Sequence, residues 1–425
     1  MDNKLYENYI NILRHELIVA MGCTEPIAIA YAGAKARAVL GKMPERVLVR
    51  CSGNIIKNVK GVIVPQSGGK RGIDIAALLG ITGGDPEKKL DVLSAVTPED
   101  LKKANEMLDA GCCHCKLAEG VENLYIDLTV YAGNEYAEVE ISGFHTNITK
   151  IEKNGKIQLK KTITEINSEK KIDKSELTVQ DILAFADCVK IEDIQDILET
   201  QINCNRAISE EGLKNLWGAN VGKVIIGAST ENDLKALACA RAAAGSDARM
   251  AGCSLPVVIN SGSGNQGITV TMPIVTFAEA YRIDHEKMLR ALCFANLLSL
   301  HQKYYIGNLS AYCGAVSAAC AAASGIAYMT GQSKDVISNT ITNTICTAGG
   351  IVCDGAKSSC AAKIATSVYT ALVALDMAKT GNAFQAGEGL TASSLEATIR
   401  NIGTMGRIGM RETDVEILNL MLEDN

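Results

Sequence analysis

The stretch Ser310-Ala311-Tyr312-Cys313-Gly314-Ala315-Val316-Ser317-Ala318-Ala319-Cys320-Ala321-Ala322-Ala323-Ser324-Gly325 decides the fold. It lies in a run with no charged residue between Lys303 and Lys334. Such a run is long enough to span a bilayer. It is built of Ala, Gly, Ser, Asn and Tyr rather than Leu, Ile and Phe, so transfer into lipid would gain little per residue. The expectation is a buried, close-packed helix pair inside a soluble domain, with no membrane partner.

The pattern extends outward from that stretch. From Thr178 onward the chain reads as nearly all helical and Ala-rich. Gly-rich elbows break it at Ser261-Gly262-Ser263-Gly264-Asn265-Gln266-Gly267, Gly307-Asn308, Gly349-Gly350 and Gly387 to Gly389. Upstream, Leu5 to Met21 has helical spacing, and Pro26 suits the first turn of a second helix over Ile27 to Leu40, with Thr24 as its N-cap. Arg46 to Cys51 and Ile55 to Val64 have strand character. Ile73 to Leu79 and Thr97 to Ala110 read as helices. Alternating runs over Leu124 to Tyr131, Tyr136 to Phe144 and Asn147 to Leu159 read as strands, the last split into a hairpin at Asn154-Gly155. Charged Thr162 to Ser175 reads as a linker. The fold class is therefore α+β: a mostly helical Ala/Gly-rich C-terminal domain with a smaller mixed α/β N-terminal region. The units expected are N-terminal helices over 1–44, a mixed α/β subdomain over 45–165, and a helical domain over 176–425.

Composition narrows the function. The 425 residues carry 42 Lys+Arg against 48 Asp+Glu, a net charge of −6, with 4% aromatics. An acidic chain with few rings offers neither phosphate neutralisation nor base stacking, which argues against nucleic acid. Met1 to Glu16 is polar and lacks a basic segment followed by an apolar run, so no signal peptide is read there. A cytoplasmic, reducing setting is expected, where the 15 Cys are thiols, ligands or catalysts rather than disulfides.

The cysteines divide by neighbourhood. Cys239, Cys293 and Cys346 lie in apolar helical contexts, where Cys acts as a small hydrophobe. Gly111-Cys112-Cys113-His114-Cys115 is crowded at one place, whereas zinc usually draws two separated ligand pairs; a chance run at a helix end is the simpler reading. Cys23, Cys313 and Cys353 each sit at or beside a glycine-bearing break, with polar neighbours Thr24, Glu25, Asp354 and Lys357. Helix starts and a nearby lysine should lower a thiol's pKa there. Cys360 is the second-tier candidate. On a continuous helix, seven residues rise about 10 Å, so Cys353 and Cys360 could not hold one small cluster together unless the first lies in a loop that folds back. Three thiolates from distant segments fit a cluster that leaves one iron open for substrate. Ser261 to Gly267 could cradle an anion with backbone N–H groups. His301, His145 and His15 read as structural or surface residues when taken alone.

The motifs Gly22-Cys23-Thr24-Glu25-Pro26, Ser52-Gly53-Asn54, Ser261 to Gly267, Ser310 to Gly314 and Cys353-Asp354-Gly355-Ala356-Lys357-Ser358-Ser359-Cys360 carry a resemblance. The chain resembles the iron–sulfur-dependent L-cysteine desulfidases, cousins of the alpha chain of iron–sulfur L-serine dehydratase, and a wider group of related bacterial proteins. The resemblance implies a serine-dehydratase-alpha-like helical domain and a [4Fe-4S] cluster held by Cys23, Cys313 and Cys353 with one open iron. It also implies β-elimination of a small amino-acid substrate, L-cysteine, to sulfide, ammonia and pyruvate. Ser52, Asn54, Ser261, Ser263, Asn265 and Gln266 are candidates to anchor that substrate. Lys357, His301 and Lys303 are candidates for the base. A Ser-Ser-Ser-His-Thr-type motif is absent, and Glu423-Asp424-Asn425 offers no cysteine to fold onto a cluster; both favour the desulfidase-like branch.

Other readings remain open at this point. The same chemistry on L-serine differs only in the leaving group. A non-catalytic iron–sulfur redox or sulfur sensor would need an output surface, and no basic stretch supplies one. A pyridoxal phosphate enzyme would need alternating strands and helices that the second half lacks. An Ala-rich helical domain of this size is compatible with a homodimer.

Overall fold

The computed structural model describes residues 1–165, 172–230, 232–307 and 309–423. Part of the expected linker (166–171), Asn308 of one elbow, and Asp424 and Asn425 lie outside the described residues. The fold is α+β, as read from the sequence.

The first segment differs from expectation in a way that builds the site. Helix α1 (Asn3–Glu16) is capped by the Asp2 side chain and buries Tyr9, Ile12 and Leu13. It stops at Glu16 instead of running to Met21. The next residues form strand β1 (Val19–Met21), which pairs antiparallel with Pro256–Val258. Long-range pairing overrides the local helical spacing here. Helix α2 (Thr24–Leu40) follows at once. Its N-cap is Cys23, not Thr24, and Cys23 offers no side-chain cap.

Strand β2 (Arg46–Cys51) is where expected. The following segment is a helix, α3 (Gly53–Lys60), not a strand. Ser52 Oγ accepts from the Ile55 N–H, and Ile55 and Val59 face the core one turn apart. Helices α4 (Ile73–Gly83) and α5 (Pro98–Asp109) come next, the second opened by a Thr97–Asp100 capping box. Strand β3 (Cys113–Leu117) is the Cys-rich run, not anticipated as a strand. It pairs parallel with β2 at the sheet edge. Strands β4 (Tyr125–Ala132), β5 (Glu135–Ser142), β6 (Ile148–Lys153) and β7 (Lys156–Lys160) complete a sheet ordered β3-β2-β4-β5-β6-β7. The last hairpin turns at Asn154-Gly155, both at positive φ. Helix α2 packs across β4 and β5 on one side and against α4 on the other.

The second half is helical: α6 (Val179–Cys188), α7 (Gln195–Lys214), α8 (Val221–Ala228), α9 (Leu234–Met250), α10 (Gly264–Tyr281), α11 (His285–Ile306), α12 (Gly314–Met329), α13 (Lys334–Ala348), α14 (Ser359–Lys379), α15 (Leu395–Thr404) and α16 (Arg411–Glu423). The short strand β8 (Pro256–Val258) joins β1. Helix α12 is the uncharged stretch. It packs against α10, α11, α13 and α14, and nearly all its side chains are buried. Its alanines and Gly325 let those axes approach, which explains the scarcity of rings. Among the described residues one helix, α14, is long and apolar enough to cross a bilayer; half of its apolar window is buried in the protein.

Candidate active site

Three chain breaks meet at one cavity. The β1–β8 pairing brings Gly22-Cys23 beside the Ser261–Gly267 loop, where the Thr24 hydroxyl donates to Gly262 O at 2.8 Å. A second meeting joins the segments before α12 and α14. The Cys313 N–H donates to Ile351 O (2.9 Å) and the Cys353 N–H to Ala311 O (2.6 Å). Cys23, Cys313, Cys353 and Cys360 thereby line a cavity of about 100 Å³. Cys353 lies in a loop and Cys360 in the first turn of α14, which is the folded-back arrangement that lets both reach it.

Three helices start at this cavity without a side-chain cap: α2 after Cys23, α10 after Ser263 and α12 after Cys313. Their free N–H groups and positive dipole ends favour negative charge at the cavity. Lys57 adds a buried cation. Its ammonium donates to Cys353 O at 3.2 Å and is ion-paired with Asp414 of α16.

The thiols respond differently. Cys353 is pulled down to about 6, first by a hydrogen bond from Cys313 and against burial, helped by Lys57 and Lys303. Cys313 is pushed up by the same bond and by burial. Cys23 also goes up, contrary to expectation: burial and Glu25 outweigh Arg249. Ligation would displace that proton.

Glu25 organises the other wall. It accepts from Cys23 Sγ (3.0 Å) and Asn58 Nδ2 (3.1 Å), and His145 Nε2 lies 3.8 Å away. Burial pushes its carboxyl up, but His145, Cys23 and Arg249 together hold it at about 2.

The expected anchors and bases separate cleanly. Ser261, Ser263, Asn265, Gln266 and Lys303 line the cavity. Burial lowers Lys303 to about 8. Ser52 and Asn54 do not reach it. Ser52 caps α3 and donates to Asn123 O (2.7 Å), while Asn54 Nδ2 donates to Asp414 (2.8 Å). His301 is fully buried elsewhere, paired with Glu396 at 2.8 Å. Lys357 ends on its neighbour Asp354 at 2.5 Å and also misses the cavity.

Arg249, His145 and Asn58 also line the cavity and have no motif to announce them, whereas Glu25 belongs to the Gly22–Pro26 motif. His145, read from sequence as structural or surface, is buried here with Nε2 toward Glu25.

Thiols around one cavity are the donor type that an iron–sulfur cluster takes. Among the described residues no three Cys, His, Asp or Glu side chains converge to hold a single metal ion. A cubane takes its thiolates on separate iron corners, so its ligands need not meet at a point. Three buried polar atoms around the same cavity also lack hydrogen-bond partners: Arg249 Nη2, Asn265 Oδ1 and Gln266 Oε1. Such atoms are costly to leave unpaired, and their concentration marks a place built to receive something.

Residues 87–419 match the serine dehydratase alpha chain. The chain belongs to that family. The match includes Cys313, Cys353, Arg249 and Lys303; Cys23 precedes it and reaches the site through β1. A UPF0597 protein of Finegoldia magna is 49% identical over 419 residues, covering 98% of this chain and 100% of the relative. One from Lachnoclostridium phytofermentans is 47% identical, with 98% and 100% covered. One from Desulfitobacterium hafniense is 45% identical, with 99% and 97% covered. The cavity of this serine dehydratase alpha-chain relative draws its lining from both sides of residue 87: Cys23, Glu25 and Asn58 before it, and the rest within the matched span.

Proposed function

We propose that this chain is a cytoplasmic, iron–sulfur-dependent lyase that releases sulfide, ammonia and pyruvate from L-cysteine. The observation that carries the proposal is the meeting of Cys23, Cys313 and Cys353 around one cavity, the first two of them at uncapped helix starts. These residues would hold a [4Fe-4S] cluster. The chemistry it supplies when bound is Lewis acidity at an iron with no cysteine ligand.

The chain's own groups account for the rest. Lys303, desolvated and at the cavity wall, is the base we assign to the α-proton. Removing that proton lets the C–S bond break, with its electron pair leaving on sulfur. The aminoacrylate so formed tautomerises to an imine, and one water converts it to pyruvate and ammonia. His145 is the second group placed to move a proton, with Glu25 behind its ring. Ser263, Asn265 and Gln266 would orient the substrate.

The same site could eliminate hydroxide from L-serine, a reading favoured by the family match itself. Comparing kcat/KM for L-cysteine and L-serine on anaerobically purified protein decides between them. Higher kcat/KM for L-cysteine, with stoichiometric sulfide and pyruvate, supports the desulfidase reading. Pyruvate from serine alone would replace it, and no pyruvate from either would remove both.

A further inference from the structure

Arg249 poses a problem that the cysteines do not solve. It is the largest of the fully buried side chains, at 2% exposure. Its Nε donates to Gly22 O at 2.9 Å, which fixes the guanidinium beside Cys23. Its Nη2 has no partner, and no ion pair to it exists among the described residues. Glu25 and Cys23 act on the guanidinium through space, but neither gives Nη2 a hydrogen bond, and a buried donor left unpaired is costly unless an acceptor arrives. The backbone also makes room for it: a Cβ on Gly264 would lie 2.4 Å from Arg249 Nε.

Two acceptors lie on the adjoining turn. Asn265 Oδ1 and Gln266 Oε1 are buried, line the same cavity and lack donors. Gln266 is seated against Gly314, where a Cβ would lie 2.5 Å from its Cδ. The cavity therefore offers an unpaired cationic fork and two unpaired neutral oxygens. One small chemical group asks for both: the head of an α-amino acid, with a carboxylate and an ammonium on one carbon.

We infer that Arg249 binds the substrate's α-carboxylate and that the side-chain oxygens of Asn265 and Gln266 bind its α-ammonium. This deepens the amino-acid lyase reading and rests on it for the occupant of the cavity. It moves the carboxylate anchor away from Ser52 and Asn54. It also sets the selection rule: the head group is read by Arg249 and its two neighbours, whatever leaves from the β-carbon. Simple amines and α-hydroxy acids are excluded by the head group alone.

The test uses binding, not turnover. L-Alanine has the full head group and no leaving group. L-Alaninol lacks the carboxylate, and L-lactate lacks the ammonium. Calorimetry on the full-length, anaerobically purified enzyme should show L-alanine binding at least about tenfold tighter than either. Arg249→Met should abolish the preference over alaninol, and Arg249→Lys should restore part of it. Asn265→Leu with Gln266→Leu should reduce the preference over lactate. Iron content of each variant is measured alongside. If Arg249→Met loses its iron or fails to fold, the wild-type series decides alone: equal affinity for alanine and alaninol overturns the assignment. An intact Arg249→Met that keeps the preference also overturns it. Selective alanine binding without sulfide or pyruvate release would remove the proposed reaction and leave the subsite standing. Turnover without that selectivity would do the reverse.

Discussion

Two regions of this molecule gather cysteines, and they do it in opposite ways. Cys112, Cys113 and Cys115 are crowded in sequence, and Cys51 joins them from the next strand. Cys23, Cys313 and Cys353 are scattered along the chain and meet only in the folded state. On the sheet, Cys113 and Cys115 lie two residues apart on β3 and so share a face, where Cys51 meets Cys115 and the neighbouring charged group is the Asp74 carboxyl. Burial pushes Cys51 and Cys113 up, and Asp74 adds to the effect on Cys113. Only Cys115 goes down, through a hydrogen bond with Cys51. At the cavity, three helix starts and the cations Lys57, Lys303 and Arg249 supply positive potential instead. In each region one thiol is lowered and its neighbours are raised, Cys353 against Cys313 and Cys23, and Cys115 against Cys51 and Cys113; what separates the regions is the positive potential at the cavity.

The largest effect expected from this contrast is on cofactor retention. Cys313→Ala should remove bound iron and reduce turnover by at least about 100-fold, while Cys115→Ser leaves both within about twofold. Iron analysis with visible absorbance checks this, and iron loss in Cys115→Ser would erase the distinction between the regions. Next comes the base. Lys303→Met should lower kcat by roughly 100-fold or more with iron retained, and Lys357→Met should have a far smaller effect. Steady-state kinetics on iron-matched samples ranks the two lysines; the opposite order would reassign the base.

A third effect concerns the link between the sheet half and the cavity. Asp414→Asn leaves the Lys57 ammonium buried without its carboxylate, which should cost about 3 kcal/mol in a urea unfolding series. An unchanged midpoint would show that α16 does not pin α3 to the Cys353 loop. The smallest effect concerns Glu16, which does not line the cysteine cavity. Buried Glu16 is pushed up by desolvation, but Lys174 and His15 outweigh it and hold it at about 2. A depressed carboxyl stabilises the fold above its unfolded pKa near 4.5 and loses that contribution as pH falls toward 2. Glu16→Gln should therefore flatten the loss of stability between pH 6 and pH 3 by about 1–3 kcal/mol. A variant with the wild-type acid limb would remove Glu16 from the account of acid unfolding.

The cysteine geometry was legible because glycine breaks mark where a chain turns abruptly. Cys23, Cys313 and Cys353 were chosen on that basis, and all line one cavity. Lys303 and the Ser261–Gly267 loop reach it too. What stayed hidden depends on pairings between remote segments. The β1–β8 pairing turns the expected end of a helix into a strand and delivers Gly22 to Arg249. Ser52-Gly53-Asn54 invited an anchor reading, but Ser52 works locally as a helix cap, and that cap also explains why Ile55 to Val64 does not begin as a strand. Lys57 and Asn58 face the site only because α3 is a helix. His301 and Lys303 are two positions apart on α11, so they point in different directions, and only Lys303 meets the cavity.

The most direct measurement counts iron and acid-labile sulfide in anaerobically prepared wild-type protein and in Cys353→Ala, with sulfide and pyruvate release from L-cysteine followed on the same samples. The account predicts about four of each per wild-type chain, a cluster absorbance, and both products. It predicts that all three are lost together in Cys353→Ala. Turnover at the wild-type rate in an iron-free Cys353→Ala protein would contradict it.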